Sequence, residues 1–215
     1  MSEVKPQHFL VFGATGGTGK AFVEQALKHG NSVTAYVRDP SKLSPHESLN
    51  IIEGDLFDAE AVMAACKPHI TAVFTAYGFS NKAPDNKHQR VTQAVVDGMK
   101  GAGVERVVAV SSMGASDTAG VGPFWVRFVA KVILKHIIPD KTLQEEVLIN
   151  NGLDWTILRP PMLVNGPATG NYVTWRGLKP GQKVVWRVAR ADVATEGLRC
   201  IEASEHIGEG VQISW

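Results

Sequence analysis

The chain has 215 residues, 44% of them hydrophobic and 20% charged, with 21 glycines and 11 prolines. These are ordinary globular proportions, and they exclude collagen-like, disordered and coiled-coil chains. Lys and Arg number 22 against 21 Asp and Glu, a formal charge of +1 that gives no general electrostatic basis for wrapping nucleic acid. Along the chain, short β-branched runs alternate with helical stretches, the pattern of repeated βα units on a parallel sheet. Phe9-Leu10-Val11-Phe12 is a continuous apolar run, as a strand buried on both faces requires. A glycine-rich turn, Gly13 to Gly19, leads into a helix that Gly30 closes. Strands are expected at Ser32–Val37, Leu49–Glu53, Ala72–Ala76 and Arg106–Val110. Helices are expected at Ala59–Cys66, with Asp58 as its cap, and from Gln89 to Ala102. Val121–Ile138 reads as one apolar helix broken near Pro139, with a new helix from Asp140 to Asn151-Gly152. Trp155–Leu158 follows as a strand that Pro160-Pro161 stops. The tail carries strand-like pieces at Asn171–Thr174 and Lys183–Arg187, a helix around Asp192–Glu202 and a last strand at Val211–Ser214.

The expected architecture is therefore α/β, a Rossmann-type doubly wound parallel sheet with helices on both faces. It forms a single domain over residues 1–215. Residues 1–160 build the cofactor core, and 161–215 a small substrate-side elaboration and the last strand.

Gly13-Ala14-Thr15-Gly16-Gly17-Thr18-Gly19 follows a buried strand and opens a helix. In that context the glycines supply a tight turn, close backbone approach to a pyrophosphate, and close packing of helix on strand. The helix N-terminus offers free N–H groups to phosphate oxygens, and Thr15 and Thr18 add hydroxyls. The ending Gly19-Lys20-Ala21 lacks the Gly-Lys-Ser/Thr of a triphosphatase loop. At the end of the second strand stands Tyr36-Val37-Arg38-Asp39, with the cation one step nearer the strand than the acid. Arg38 can pair with a 2′-phosphate, with Lys42 in support, so NADP(H) is expected in preference to NAD(H). The alternative places Arg38 in solvent and gives Asp39 the ribose.

These residues resemble the atypical short-chain dehydrogenase/reductase superfamily. The Gly13–Gly19 loop, Val37-Arg38-Asp39, Gly54-Asp55-Leu56 and Leu158-Arg159-Pro160-Pro161 carry the likeness. From Gly152 to Tyr172 the chain most resembles the group containing biliverdin-IXβ/flavin reductase and NmrA-like proteins. The resemblance implies that Gly13, Thr15, Gly16, Gly17, Thr18 and Gly19 hold the pyrophosphate. It implies Arg38 at the 2′-phosphate and Asp55 with Leu56 at the adenine. Thr75, Ala76 and Tyr77 end the fourth strand, where the family lines the cofactor ribose. Ser111 and Ser112 end the fifth, where it places an active-site serine, and Pro160 ends the sixth. Typical members carry Tyr-x-x-x-Lys on the next helix. Lys141 matches the lysine, which would meet the nicotinamide ribose, but Ile137 stands in place of the tyrosine. Ordinary alcohol dehydrogenation is weakened by that change. Hydride transfer to a flat acceptor, with a proton from solvent or a nearby hydroxyl, is not. Ser112, Lys141 and Tyr77 are the candidate catalytic residues.

Two functions follow. One is an NADPH-dependent reductase of a small conjugated or carbonyl acceptor of flavin, quinone or tetrapyrrole type. The other is a non-catalytic NADP(H)-binding redox sensor of NmrA-like type. Arg127, Lys131 and Lys135 fall on one helix face, read either as a solvated face over an apolar core stripe or as a contact for an anionic surface or acidic partner. The seven histidines show no metal-ligand spacing, so no metal is assigned, and His136 should turn away if Lys141 faces in. Arg176 is placed on the substrate side, where it can meet an anionic ligand. Cys66 and Cys200 read as core residues in a reducing compartment. With no signal-peptide core at Met1–Pro6 and no run of about 18 apolar residues, the expectation is a cytoplasmic protein without a transmembrane segment, partnered by a small-molecule substrate. Monomer and homodimer are both left open.

Overall fold

A computed structural model describes residues 6–79, 83–177 and 184–215. The strands are His8–Phe12 (β1), Ser32–Val37 (β2), Leu49–Glu53 (β3), Ala72–Thr75 (β4), Arg106–Val110 (β5), Asp154–Arg159 (β6), Met162–Val164 (β7), Val173–Trp175 (β8), Arg187–Ala189 (β9) and Glu209–Ser214 (β10). The helices are Gly17–Lys28 (α1), Ala59–Ala65 (α2), Lys87–Ala102 (α3), Phe124–Phe128 (α4), Ile137–Ile149 (α5) and Arg190–Glu202 (α6). Eight strands form one sheet in the order β3-β2-β1-β4-β5-β6-β10-β8. All neighbours in it are parallel except β8, which runs antiparallel to β10. β7 and β9 pair separately, also in parallel. This is the Rossmann-type doubly wound arrangement expected above.

β1 shows why the sheet is central. Its side chains alternate between two buried apolar cores. Phe9 and Val11 join Phe22 of α1 and Leu198 of α6 on one face. Leu10 and Phe12 join Val62 of α2, Met99 of α3 and Leu148 of α5 on the other. Each such fully buried apolar side chain contributes roughly 1.5–3 kcal/mol. On the first face Phe22 stacks on Phe74 of β4 with ring centroids 3.9 Å apart. The helix ends follow local chemistry. Asp58 accepts a hydrogen bond from the Ala61 N–H at 3.0 Å to open α2, and Gly103 at φ +70° closes α3.

The stretch expected as one helix over Val121–Ile138 divides instead. α4 passes into a π-helical turn at Val129–Ile133, and α5 begins at Ile137. Pro139 lies in the first turn of α5, where its missing N–H costs no helical hydrogen bond. The apolar stripe of that segment is not core either. Phe124 is 81% exposed, and Trp125, Phe128, Val132 and Ile133 are all exposed. The tail strand expected at Lys183–Arg187 begins at Arg187, Lys183 itself lying outside the described residues. Among the described residues, no helix is long and apolar enough to cross a membrane.

Candidate active site

The glycine loop and the ends of β2, β3 and β4 enclose a cleft of about 180 Å³. Gly13 has φ +85°, and a Cβ there would lie 2.7 Å from the Ala76 carbonyl carbon and the Tyr77 nitrogen. A Cβ at Gly19 would come within 2.2 Å of the Gly13 carbonyl oxygen. Backbone thus packs on backbone, leaving the mouth of α1 open to a ligand. Gly16 caps α1 without a side chain, and the first turn holds no acid. The first-turn N–H groups of α1 thus have no carboxylate of their own turn to bond, which suits a pyrophosphate. Gly13, Thr15 and Gly16 line the cleft, while Thr18 and Gly19 are buried behind it. Gly17 has a different neighbour. A Cβ on it would fall 2.5 Å from Cδ of Arg190, whose Nη1 donates to the Leu163 carbonyl at 3.2 Å and to Asn165 Oδ1 at 2.9 Å. Nothing near Gly17 in sequence signals that contact.

At the end of β2, Arg38 is exposed and lines the cleft. Asp39 turns elsewhere. Its Oδ1 accepts from the Ser41 hydroxyl at 2.6 Å and the Ser41 N–H at 3.2 Å, and its Oδ2 pairs with Lys42 at 3.4 Å. Those contacts hold the Asp39 carboxyl below its ordinary pKa, the Ser41 hydroxyl first among them. Lys42, expected beside Arg38, is paired with Asp39 instead. Asp55 and Leu56 line the cleft opposite, and the Asp55 side chain also closes a local turn by accepting from the Phe57 N–H at 3.0 Å. Tyr36 donates to the Asp55 carbonyl at 3.0 Å, which fixes that wall.

The ends of β4 and β5 carry two buried hydroxyls, Thr75 Oγ1 and Ser111 Oγ, that find no partner among the described residues. Buried hydroxyls are rarely left unpaired, so both fit a ligand lying across these strand ends. Tyr77 presents only its ring to the cleft. Its hydroxyl lies 2.6 Å from Thr92 Oγ1 in the interior, and burial pushes its pKa up. The expectation that this phenol orients an acceptor is therefore corrected. Lys141 is buried as well. Its ammonium donates to the Val110 carbonyl at 2.9 Å and to Gln144 Oε1 at 2.8 Å, 5.9 Å from the Tyr77 ring centroid. Burial pushes its pKa down to about 7, against the pull of Asp140 and Glu145. It lines neither this cleft nor the cavity described next, so it braces the end of β5 from beneath. Beside it, Asp140 accepts from His88 Nδ1 at 2.7 Å and from the His88 N–H at 2.9 Å. Ser112 is half-buried, with its hydroxyl donating to the Met113 carbonyl at 3.1 Å. Pro160 is buried, and its carbonyl accepts from the Met113 N–H at 2.9 Å.

A larger cavity, about 430 Å³, opens beyond Ser112. Its lining runs from Met113 to Pro139, with Trp186 the only one of the described residues beyond Pro160 to contribute. The lining of this cavity thus comes mainly from the segment between β5 and β6, whereas the expectation placed the substrate side in residues 161–215. The later residues instead complete the sheet as β8 and β10. Arg176, expected to meet an anionic ligand, pairs with Glu209 at 2.8 Å. A buried clamp fastens the cavity's near wall. Glu145 accepts from the Ser116 hydroxyl at 2.5 Å and from Arg159 Nη2 at 2.7 Å, while Arg159 Nη1 reaches Asp117 at 2.6 Å. Among the described residues, no group of three His, Cys, Asp or Glu is placed to hold a metal ion.

A doubly wound sheet with a glycine-lined cleft at its carboxyl edge defines a dinucleotide-binding protein. Comparison with known proteins makes this specific. Residues 13–204 match the NAD(P)H-binding family, and the chain belongs to it. It is similar to an uncharacterised chloroplast protein of Arabidopsis thaliana, 31% identical over 96% of this chain and 77% of the relative. It is also similar to the oxidoreductase dmxR7 of Cryptosporiopsis, 27% identical over 68% of each. Among solved structures, ChuY, an anaerobilin reductase from Escherichia coli O157:H7, superposes with a TM-score of 0.81 at 27% identity over 97% of both chains. Of these, dmxR7 is named an oxidoreductase and ChuY a reductase.

Proposed function

We propose that the protein is an NADPH-dependent reductase that delivers a hydride to a small conjugated or carbonyl acceptor of flavin, quinone or tetrapyrrole type. The observation that carries this reading is the pairing of two cavities at one edge of the sheet. The cleft ends at the carboxyl end of β4, and the larger cavity begins at that of β5, the adjacent strand. The reductase neighbour ChuY, similar over nearly its whole length, supports it.

In this reading Gly13, Thr15 and Gly16 bring the backbone close to the pyrophosphate, the Gly16 N–H itself being held by the Gly13 carbonyl at 3.0 Å, and the first-turn N–H groups of α1, from Gly17 onward, meet its oxygens. Arg38 takes the 2′-phosphate. Asp39 is occupied by Ser41 and Lys42, so no carboxylate is turned toward the ribose there, which favours NADP(H) over NAD(H). Asp55 and Leu56 flank the adenine. Thr75, Ala76, the Tyr77 ring, Ser111 and Pro160 line the path toward the acceptor. Lys141 is a positioning residue, holding the end of β5 through the Val110 carbonyl. When bound, NADPH supplies the hydride. The chain binds the acceptor beside Ser112, excludes water along the apolar wall and leaves proton delivery to the Ser112 hydroxyl or solvent.

A second reading has a specific observation behind it. The chain has three tyrosines, and all three hydroxyls are committed to internal partners: Tyr36 to the Asp55 carbonyl, Tyr77 to Thr92 and Tyr172 to Glu196. No phenol serves as the acid, as Ile137 foreshadows, and a sensor that binds NADP(H) without turnover needs none. An acceptor scan separates the two. NADPH oxidation is followed with FMN, riboflavin, biliverdin and simple quinones. Turnover with at least one is expected, and tight NADPH binding with none establishes the sensor.

A further inference from the structure

Arg127, Lys131 and Lys135 all line the larger cavity. They follow one another at intervals of four, and residues 124–135 contain no acid. Among the described residues, no carboxylate pairs with any of the three, and no acidic side chain lines the cavity. Three acids from the flanking segments are engaged elsewhere: Asp117 with Arg159, Asp140 with His88 and Glu145 with Arg159. The remaining wall is apolar, from Met113, Val126, Ile138 and Trp186. Trp186 is held edge-on to Trp125, ring centroids 6.4 Å apart, and a Cβ at Gly122 would strike its ring at 2.5 Å. The indole therefore forms one side of the cavity, against Gly122 and Trp125. A volume near 430 Å³ suits a ring system of two or three fused rings.

From this juxtaposition we infer that the cavity is an acceptor site selective for a planar apolar body bearing an anionic group, a carboxylate, sulfonate or phosphate, at its edge. The inference rests on the reductase reading for the word acceptor, though not for the selectivity. Three like charges on one short segment repel one another, and an anion lying among them relieves that repulsion. The apolar floor supplies contact area, and the cations supply orientation and discrimination. A neutral ring of the same size gains only the first.

Two dyes that share a ring system test this directly. 1-Anilinonaphthalene-8-sulfonate carries the anion, and N-phenyl-1-naphthylamine lacks it. Their fluorescence titrations are run on the full chain saturated with NADP⁺. The combined variant Arg127→Gln, Lys131→Gln, Lys135→Gln should weaken the sulfonate dye by about tenfold, the sum of a few exposed ion pairs. The neutral dye should shift by less than about twofold. Ala130→Phe, which fills the cavity, should displace both dyes, whereas Phe128→Ser on the outer face should leave both unchanged. Equal losses for the two dyes in the charge variant overturn the inference. So does dye binding that responds to Phe128→Ser and ignores Ala130→Phe. A failure of the reductase reading looks different: no NADPH oxidation with any acceptor, alongside intact discrimination between the dyes, means that the bound molecule is not reduced and leaves the anion site standing.

Discussion

Arg38 shows what one side chain can decide. It is exposed at the cleft and pairs with no carboxylate among the described residues, while its neighbour Asp39 is tied to Ser41 and Lys42. A charge-assisted bond to a phosphate is worth roughly 1.5–3 kcal/mol, so Arg38→Ala should weaken NADPH about 10- to 100-fold and NADH by little. Titrating both cofactors by fluorescence checks this, and equal losses would sink the 2′-phosphate assignment. Gly19 sets a harder limit. A methyl group there meets the Gly13 carbonyl oxygen at 2.2 Å, and backbone cannot yield as a flexible side chain can. Gly19→Ala should therefore abolish cofactor binding in calorimetry, whereas Gly17→Ala should be milder because only Arg190 must move. The glycine loop, Arg38 and Asp55 were legible in the sequence because their roles depend on local order after a strand. The contact of Arg190 with Gly17 was not, since it joins the two ends of the chain.

The elements divide in the same way. Strands β2, β3 and β5 begin and end where β-branched runs meet glycine or polar residues, and the sequence places those boundaries correctly. The segment from Val121 to Ile138 defeats that reasoning. Its apolar residues have helical spacing, yet among the described residues Phe124, Trp125, Phe128 and Val132 are exposed, and the helix gives way to a π turn before Pro139. Periodicity records which residues share a face but not whether that face is covered. The three cations on it were legible as a stripe, and only the tertiary structure turns that stripe toward a cavity. The clamp between α5 and β6 is likewise a product of folding. Glu145 is fully buried and bonds Arg159 through both oxygens. Truncating one partner leaves an unpaired buried charge, so Glu145→Ala should cost about 3–5 kcal/mol. Chemical denaturation measures this, and a loss under about 1 kcal/mol would show that the pair is not holding the wall.

At the scale of the whole molecule, burial of ionisable groups couples stability to pH. Lys141 has its pKa pushed down from 10.5 to about 7. Between those values the unfolded chain holds a proton that the folded chain lacks, so stability from this residue rises with pH through that window. Below pH 7 both states are protonated, and the folded state bears the full cost of a buried cation. The melting temperature of the native protein relative to Lys141→Met should therefore climb from pH 7 to pH 9. A constant difference would mean that the lysine is solvated. His88 adds a second slope on the acid side, because burial and the nearby Lys141 lower its pKa below 6.5 and the stability of the neutral ring is lost as pH falls. Hydride transfer across the edge shared by β4 and β5 is tested most directly with NADPH deuterated at C4, one face of the ring at a time, in the presence of an accepting quinone or flavin. The recovered NADP⁺ should lose deuterium from one face only, as a single bound orientation requires. Tight NADPH binding with no NADP⁺ formed for any acceptor, or loss of label from both faces alike, would contradict a reductase built on this cleft.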